Sequence, residues 1–426
     1  MDRIIPHGLL LIKLSILLTI FCHTAHAQSE GILLENINLI DGTGNGVQQA
    51  KSIWIVEDRI KAILDYGKDK APNASQRHDL KGKYVLPGLI DAHVHFGTDP
   101  SGSDNLEDTQ KKLRTFLEHG ITGVRDMAGD TRYLSFMARQ ARLDEIASPD
   151  IYYSALMAGP RFFNDPRTVA SAQGEIPGET AWMRAIDGNT DIALAVAEAK
   201  GTGATGIKLY ADLPGDLCQK IIVEARRQGI KVWAHASVLP AIPMDLVEPG
   251  IHSLSHANLL AWQVSDKAPS MGRFRYNETE LDPATPAFQA LLVKMAERQV
   301  YLDPTIKIFL GRDLLYKNAV DATKAAYKAG VPIVVGTDMS LNHRNVELFP
   351  LIDEMKVLVE VVGIPADEVI KAATLNTAQL LGIDAQVGSL TVGKKANLIV
   401  LDKNPLEDIT HLNKVKWVLK NGKQVK

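Results

Sequence analysis

The chain has 426 residues, 46% of them hydrophobic, and a formal net charge of −3. That length supports a large core with a second, smaller domain. The near-neutral balance excludes a chain-wide basic field of the kind that binds nucleic acid, and there is no heptad, low-complexity tract or short-period repeat.

Residues 1–27 stand apart. Arg3 and Lys13 carry positive charge, Leu14 to Cys22 form a short apolar core, and Ala25-His26-Ala27 is a small-x-small cleavage site. The pattern is that of a secretory signal peptide cut after Ala27. The apolar run is shorter than the roughly 20 residues a membrane span needs, so no span is expected after cleavage. The expected location is therefore the periplasm of a Gram-negative cell or the secreted fraction. Cys22 leaves with the leader and Cys218 remains alone, so the mature monomer has no internal disulfide. Cys218 is expected to pack into the core on the helix after Pro214. Oligomeric state is left open, a homo-oligomer included.

From residue 31 to 66, short apolar runs are split by turn residues, and the carboxyl end repeats the style in "GSLTVGKKANLIVLD" and "VKWVLKNGKQV". Asn421-Gly422 is a hairpin signal because both residues tolerate positive φ. Neither end alone has enough strands to bury a face, so residues 28–86 and 384–426 are expected to build one composite β-sandwich. Between them, in residues 87–383, apolar runs alternate with helix-period stretches such as "LEDTQKKLRTFLEHG" and "DLCQKIIVEARRQG". Candidate strands end near His95, Asp126, Met157, Leu209, His235, His256, Asp303 and Thr337. Eight β-then-α units predict an α/β fold, a (β/α)8 TIM barrel. Two long loops are expected, one after Met157 and one after His256.

Polar residues collect at the strand ends. "LPGLIDAHVHF" puts His93 and His95 two apart, on one face of a strand. Lys208 closes "TGIKLY", His235 closes "IKVWAHA", His256 closes "IHSLSHA" and Asp338 follows "VPIVVGT". In a barrel these ends meet at one mouth, where active sites are built. Imidazoles with a carboxylate suit zinc or a similar divalent ion. Taken singly each has a plainer role: a hydrogen-bonded histidine, a snorkelling lysine, a helix N-cap aspartate. Six in this order are not explained separately. His252 lies four residues before His256, about 13 Å down the strand at roughly 3.3 Å per residue, and is expected near the barrel bottom, off the metal. His119 before Gly120 reads as a helix C-cap.

These stretches, with the "AATLNTAQLLG" helix, resemble the amidohydrolase superfamily, and within it the imidazolonepropionase-like and Xaa-Pro dipeptidase-like members. The resemblance spans nearly the whole mature chain. It implies the split β-sandwich and a site with two divalent metal ions, expected to be Zn2+. Carried over, His93, His95 and Asp338 hold one metal, His235 and His256 the second, and Lys208 bridges them as N6-carboxylysine. An ordinary lysine, with a pKa of about 10.4, is an ammonium that could not sit between two dications, whereas the carbamate is an anionic, two-oxygen ligand. Imidazolonepropionases proper are mononuclear and lack this lysine, so Lys208 favours the dipeptidase-like branch. Ser255 departs from the acidic residue that relatives often carry before the histidine.

The implied chemistry is hydrolysis of an amide C–N bond in a small molecule, a dipeptide or N-acyl amino acid. A hydroxide shared by the metals attacks the carbonyl carbon, and Asp338 acts as general base and then acid. Tyr210 is a candidate oxyanion donor, with packing as its alternative. Arg161, Arg167, Arg273 and Arg275 on the long loops are candidate clamps for a substrate carboxylate, Arg161 and Arg275 foremost. His343 and Arg344 are either substrate contacts or a solvated loop. The same metals would serve a lactone, carbamate or phosphoester hydrolase, and a non-catalytic secreted binding protein on the same barrel is a third alternative.

Overall fold

The computed structural model describes residues 31–97, 105–266, 279–340 and 350–426. The leader 1–27 and residues Arg273, Arg275, His343 and Arg344 lie outside them. Among the described residues no helix is long and apolar enough to cross a membrane.

Two sheets organise the chain. Strands β1 (Gly31–Leu39), β2 (Gln48–Val56), β3 (Arg59–Asp65), β4 (Gln76–Asp79) and β5 (Tyr84–Pro87) open it. Strands β6 (Leu89–His95), β7 (Ile121–Asp126), β8 (Asp150–Ala158), β9 (Met183–Ala185), β10 (Gly206–Leu209), β11 (Lys231–His235), β12 (Ser253–Ser255), β13 (Tyr301–Asp303) and β14 (Met339–Ser340) follow. Strands β15 (Leu398–Leu401), β16 (Val415–Lys420) and β17 (Lys423–Gln424) close it. The first sheet runs β17-β16-β15-β5-β1-β2-β3, with β4 beside β1, so strands from both ends share one layer as expected. It rolls back on itself: Ile60 exchanges backbone hydrogen bonds with Lys394 (2.9 Å) and Gly393 (2.8 Å). Leu34, Ile37, Ile53, Val85, Leu398 and Val400 fill the interior of this sandwich. The hairpin at its end turns at Asn421 (φ 50) and Gly422 (φ 73), the positive pair that a two-residue turn needs.

The second sheet is the barrel, with parallel order β13-β12-β11-β10-β8-β7-β6-β14. Its eighth stave is irregular. Pro332 has no N–H to give, and residues 331–337 form one isolated bridge, Leu302 to Ile333. Backbone bonds still close the ring. Leu302 N donates to Pro332 O and Val334 N to Leu302 O on one side (both 2.9 Å), and Ala92 N donates to Val335 O (2.8 Å) on the other. The chain thus folds as a TIM barrel with a β-sandwich.

Helices cover the barrel where capping and periodicity agree. Leu106–Glu118 starts at Asn105, whose side chain accepts from Asp108 N, and ends at His119 before Gly120 (φ +86). The His119 ring lies 2.7 Å from Thr115 O, the C-cap role read from the sequence. Cys218 is buried on Gly215–Gln228, also as expected. The loop after Met157 is more ordered than its sequence suggested. It forms a 3-10 turn, Pro160–Asn164, the helix Pro166–Ala172 with Asp165 as N-cap, and β9. Proline at the first helical position, behind a capping aspartate, is the local cause.

The sandwich packs on the barrel end away from the histidines. Ile399 and Val415 join the core around Leu117 and Ile121. Buried Lys420 reaches Asp150 Oδ1 at 2.8 Å and Ala141 O at 3.1 Å.

One buried carboxylate braces the opposite end. Glu354, on the helix Pro350–Val357, accepts from Ile306 N (2.7 Å) and Lys307 N (2.8 Å) and so holds the segment after β13. Burial, with Asp303 and Asp91 nearby, pushes its carboxyl up to about 7. A folded value above the ordinary 4.5 means that its contribution to stability is complete below about pH 4.5 and lost as pH rises through about 7. Glu354→Gln should therefore flatten the fall in unfolding free energy across that window by up to about 1.4 kcal/mol per pH unit. Urea denaturation of metal-free protein at several pH values checks this; parallel slopes for variant and parent would refute it.

Candidate metal centre

The site begins with β6. Asp91, His93 and His95 alternate along it and face the barrel axis, while Val94 joins the core on the helix side. Asp91 is fully buried and staples the first and last staves together. Its Oδ1 accepts from His93 N (3.0 Å) and Thr337 N (3.1 Å), and its Oδ2 from Thr337 Oγ1 (2.8 Å). Asp338 N then donates to His93 O at 2.8 Å, which seats Asp338 beside the two imidazoles. Gly336 is what lets the staves approach. A Cβ there would lie 2.4 Å from Asp303 Oδ1 and 2.5 Å from His93 Cβ.

His93, His95 and Asp338 offer ligand atoms all within 4.8 Å of one another. The two Nε2 atoms lie 3.3 Å apart, and Asp338 Oδ1 stands 2.9 Å from His95 Nε2 and 3.2 Å from His93 Nε2. His235 and His256 continue the cluster, with ring centroids 4.8 Å apart and His256 5.2 Å from His93. Lys208 is fully buried on β10, its Nζ 3.3 Å from Ser255 Oγ. The compact group is thus the His-His-Asp trio, which His235 and His256 do not join.

The partners of the rings decide which nitrogen faces inward. His93 Nδ1 is 2.6 Å from Asp303 Oδ2, and His235 Nδ1 is 2.5 Å from the Tyr210 carbonyl. A carbonyl only accepts, so His235 Nδ1 carries the proton and its Nε2 keeps a lone pair. His256 Nδ1 meets Thr305 Oγ1 at 2.7 Å. An outer acceptor on Nδ1 with Nε2 directed inward is the usual support for a metal-bound histidine. The donor set therefore fits a divalent ion of the zinc type.

Electrostatics agree. Burial raises the Asp338 carboxyl, but His93, His95 and His256 outweigh it and hold the group well below its ordinary range. Burial likewise opposes charge on His93, yet Asp303 and Asp338 bring it above its usual value. Burial drives His256 down to about 3. Backbone strain gathers here too: Asp338 (φ 54), His256 (φ 70) and Thr305 (φ 48) are left-handed without being glycine. Such residues persist where surrounding contacts over-determine them, often at functional sites.

Three buried residues of the site carried no role in the sequence reading: Asp91, Asp303 and Arg125. Arg125 donates from Nε to Ala92 O (2.5 Å) and from Nη1 to Ser253 Oγ (3.0 Å), stacks 4.7 Å from the Trp233 ring and stands 3.6 Å from Asp303. Asp91 had a legible signal, because it shares the inward face of the HxH strand. Asp303 was noted only as a strand end, and a charge inside an apolar strand was the cue for Arg125.

The other expectations sort as follows. His252 sits below the site, its Nδ1 accepting from Val232 N at 3.1 Å, and it is absent from the metal group. Tyr210 stacks edge-on to His235 at 4.3 Å. Arg161 is engaged by Asp212 through its side chain and its backbone N–H, and Arg167 by its own N-cap, Asp165. Arg275 and His343 fall outside the described residues.

The profile of the amidohydrolase family matches residues 84–425. Ochratoxinase from Aspergillus niger is 26% identical over 91% of this chain and 85% of its own length. Imidazolonepropionase from Bdellovibrio bacteriovorus is 23% identical over 93% of this chain and 91% of its own. The crystal structure of a Xaa-Pro dipeptidase with methionine in its active site superposes with a TM-score of 0.72 at 23% identity, covering 93% of this chain and 99% of that one. With the family profile spanning the barrel and the closing strands of the sandwich, and a His-His-Asp cluster at the mouth, the chain belongs to the amidohydrolase family and is a hydrolase.

Proposed function

We propose that this hydrolase cleaves amide C–N bonds in small molecules, with dipeptides and N-acyl amino acids as the substrate class, on a binuclear site. The observation that carries the reading is the Asp338 carboxylate, shared between two inward Nε2 atoms at 2.9 and 3.2 Å and held ionised among them. A relative named as a Xaa-Pro dipeptidase supports the class. In the proposed assignment His93, His95 and Asp338 hold one ion, His235 and His256 the other, and Lys208, carboxylated, joins them. Divalent metals in such a site supply an activated water at neutral pH and a Lewis acid for the carbonyl oxygen.

The protein's own groups do the rest. Asp338 uses Oδ1 toward the imidazoles, which leaves Oδ2 to accept the proton of the attacking water and pass it to the leaving nitrogen. Asp303, Thr305 and the Tyr210 carbonyl hold three rings in place, so the ligand atoms need not reorganise. Tyr210, edge-on to His235, is the proposed donor to the substrate oxygen. Export is part of the proposal, supported by the leader pattern of residues 1–27. Amino-terminal sequencing of the mature protein should begin at Gln28; an intact Met1 would reject export with cleavage.

Asp338→Asn should retain most of the metal while kcat falls at least about 100-fold, the scale of a lost general acid–base group. Metal content and kcat measured on one preparation check this, and near-parental turnover would remove Asp338 from the role. Lys208→Ala should lower the metal-to-protein ratio from two towards one. Two retained metals with full activity would refute the carbamate bridge. The class itself is tested by screening zinc-loaded protein against dipeptides and N-acyl amino acids, with lactones, carbamates and phosphotriesters alongside. Cleavage confined to the latter group would overturn the amide reading.

A further inference from the structure

A cavity lies away from the metal centre, on the barrel flank where the sandwich joins it. Its volume is about 640 Å³, inside the range of about 300–1,000 Å³ usual for small-molecule sites, which favour such domain junctions. The start of β8, with Asp150, Tyr152 and Tyr153, forms its floor. One wall is the end of the helix Thr131–Arg142, which presents Phe136, Arg139 and Arg142. The turn at residues 201–203 and Lys395, just before β15, complete it.

The lining carries three cations against one carboxylate. That carboxylate is already taken, because Asp150 Oδ1 accepts from Lys420 at 2.8 Å. Arg139 lies 3.3 Å from Glu145, but 60% and 44% of their side chains are exposed, so water screens the pair. Lys395 Nζ meets a neutral acceptor, Asn421 Oδ1, at 3.2 Å. Among the described residues neither Lys395 nor Arg142 forms an ion pair.

Donors and apolar surface stand beside this charge. Burial raises the phenols of Tyr152 and Tyr153, and the Arg142 charge draws both back, which places its guanidinium near the pair. Tyr153 donates to Thr202 O at 3.2 Å. The Tyr152 hydroxyl bonds to no protein group among the described residues, so its proton is available to a ligand. Phe136 keeps 46% of its surface in water, and a ring or chain laid on it gains by burial. A neutral ligand would strip water from the cations without return. A bare inorganic anion would leave Phe136 and most of the volume unused.

We propose that this cavity is a second ligand site, for a small organic anion with a carboxylate, sulfonate or phosphate head and an apolar body. The head pairs with Arg142 and Tyr152 while Lys395 adds charge, and the body lies on Phe136. The site stands apart from the amide-hydrolase reading, since no residue of its lining belongs to the metal centre.

The test titrates the metal-loaded protein with 1-anilinonaphthalene-8-sulfonate, an organic anion that reports apolar contact by fluorescence. N-phenyl-1-naphthylamine, the same body without the sulfonate, is the neutral comparator. The parent should bind the sulfonate saturably, one per chain, at least about tenfold more tightly than the neutral dye, the scale of one charge-assisted contact. Arg142→Gln should weaken sulfonate binding at least about tenfold and Lys395→Gln at least about threefold, with the neutral dye unmoved. Arg142→Lys, which keeps the charge, should recover most of the loss. Absence of saturable binding, equal affinity for the two dyes, or an affinity unmoved by Arg142→Gln would overturn the site, the last by marking adsorption to exposed apolar surface. Circular dichroism of the variants, whose substituted side chains are not buried, should match the parent.

Discussion

The 2.6 Å contact between His93 Nδ1 and Asp303 Oδ2 is the constraint on which the site depends. Both groups are fully buried, so neither can trade this bond for water. The contact turns His93 so that Nε2 faces His95 and Asp338. It joins β13, at one end of the sheet order, to β6, next to the other end, across the gap that residues 331–337 close. A carboxylate is stable in that interior because Arg125 stands 3.6 Å away while stacking on Trp233. Burial lowers the Arg125 guanidinium to about 10, which leaves it charged at neutral pH.

Several small features follow from this buried charge. Gly336 carries no side chain because Asp303 and His93 occupy the space a Cβ would need. Asp91 staples β6 to the irregular eighth stave through Thr337, one residue before Asp338. Glu354 pins the segment holding Thr305, and Thr305 steadies His256. Ligands, the groups that orient them and the groups that orient those in turn form one connected polar body inside an apolar barrel. Most of its polar atoms are paired, whereas Asp303 Oδ1 and Arg125 Nη2 are buried without a hydrogen bond among the described residues.

Beside the metal centre lies a small pocket that mixes Phe162, Trp182 and Met183 with Asp165, Arg167, Thr168 and Ser171. The sandwich at the far end contributes no wall to the pocket; its role is to cover the barrel bottom through Ile399, Val415 and Lys420.

Much of this was legible in the residue order. Alternation in "DAHVH" put two imidazoles on one face, strand-end positions brought Lys208, His235, His256 and Asp338 to one mouth, and the shared style of both termini foretold one composite sheet. Local periodicity determines these things because a strand's faces and a barrel's ends follow from chain direction alone. Other features depended on contacts between residues far apart in sequence. His93 and Asp303 are 210 positions apart, so which acceptor holds which ring could not be read locally. Arg161 pairs with Asp212, 51 positions away, a partner that residue order alone does not reveal. The sequence by itself determined which side chains reach the mouth; only the tertiary structure decided how each is turned, because orientation is set by partners that packing alone brings within hydrogen-bond reach.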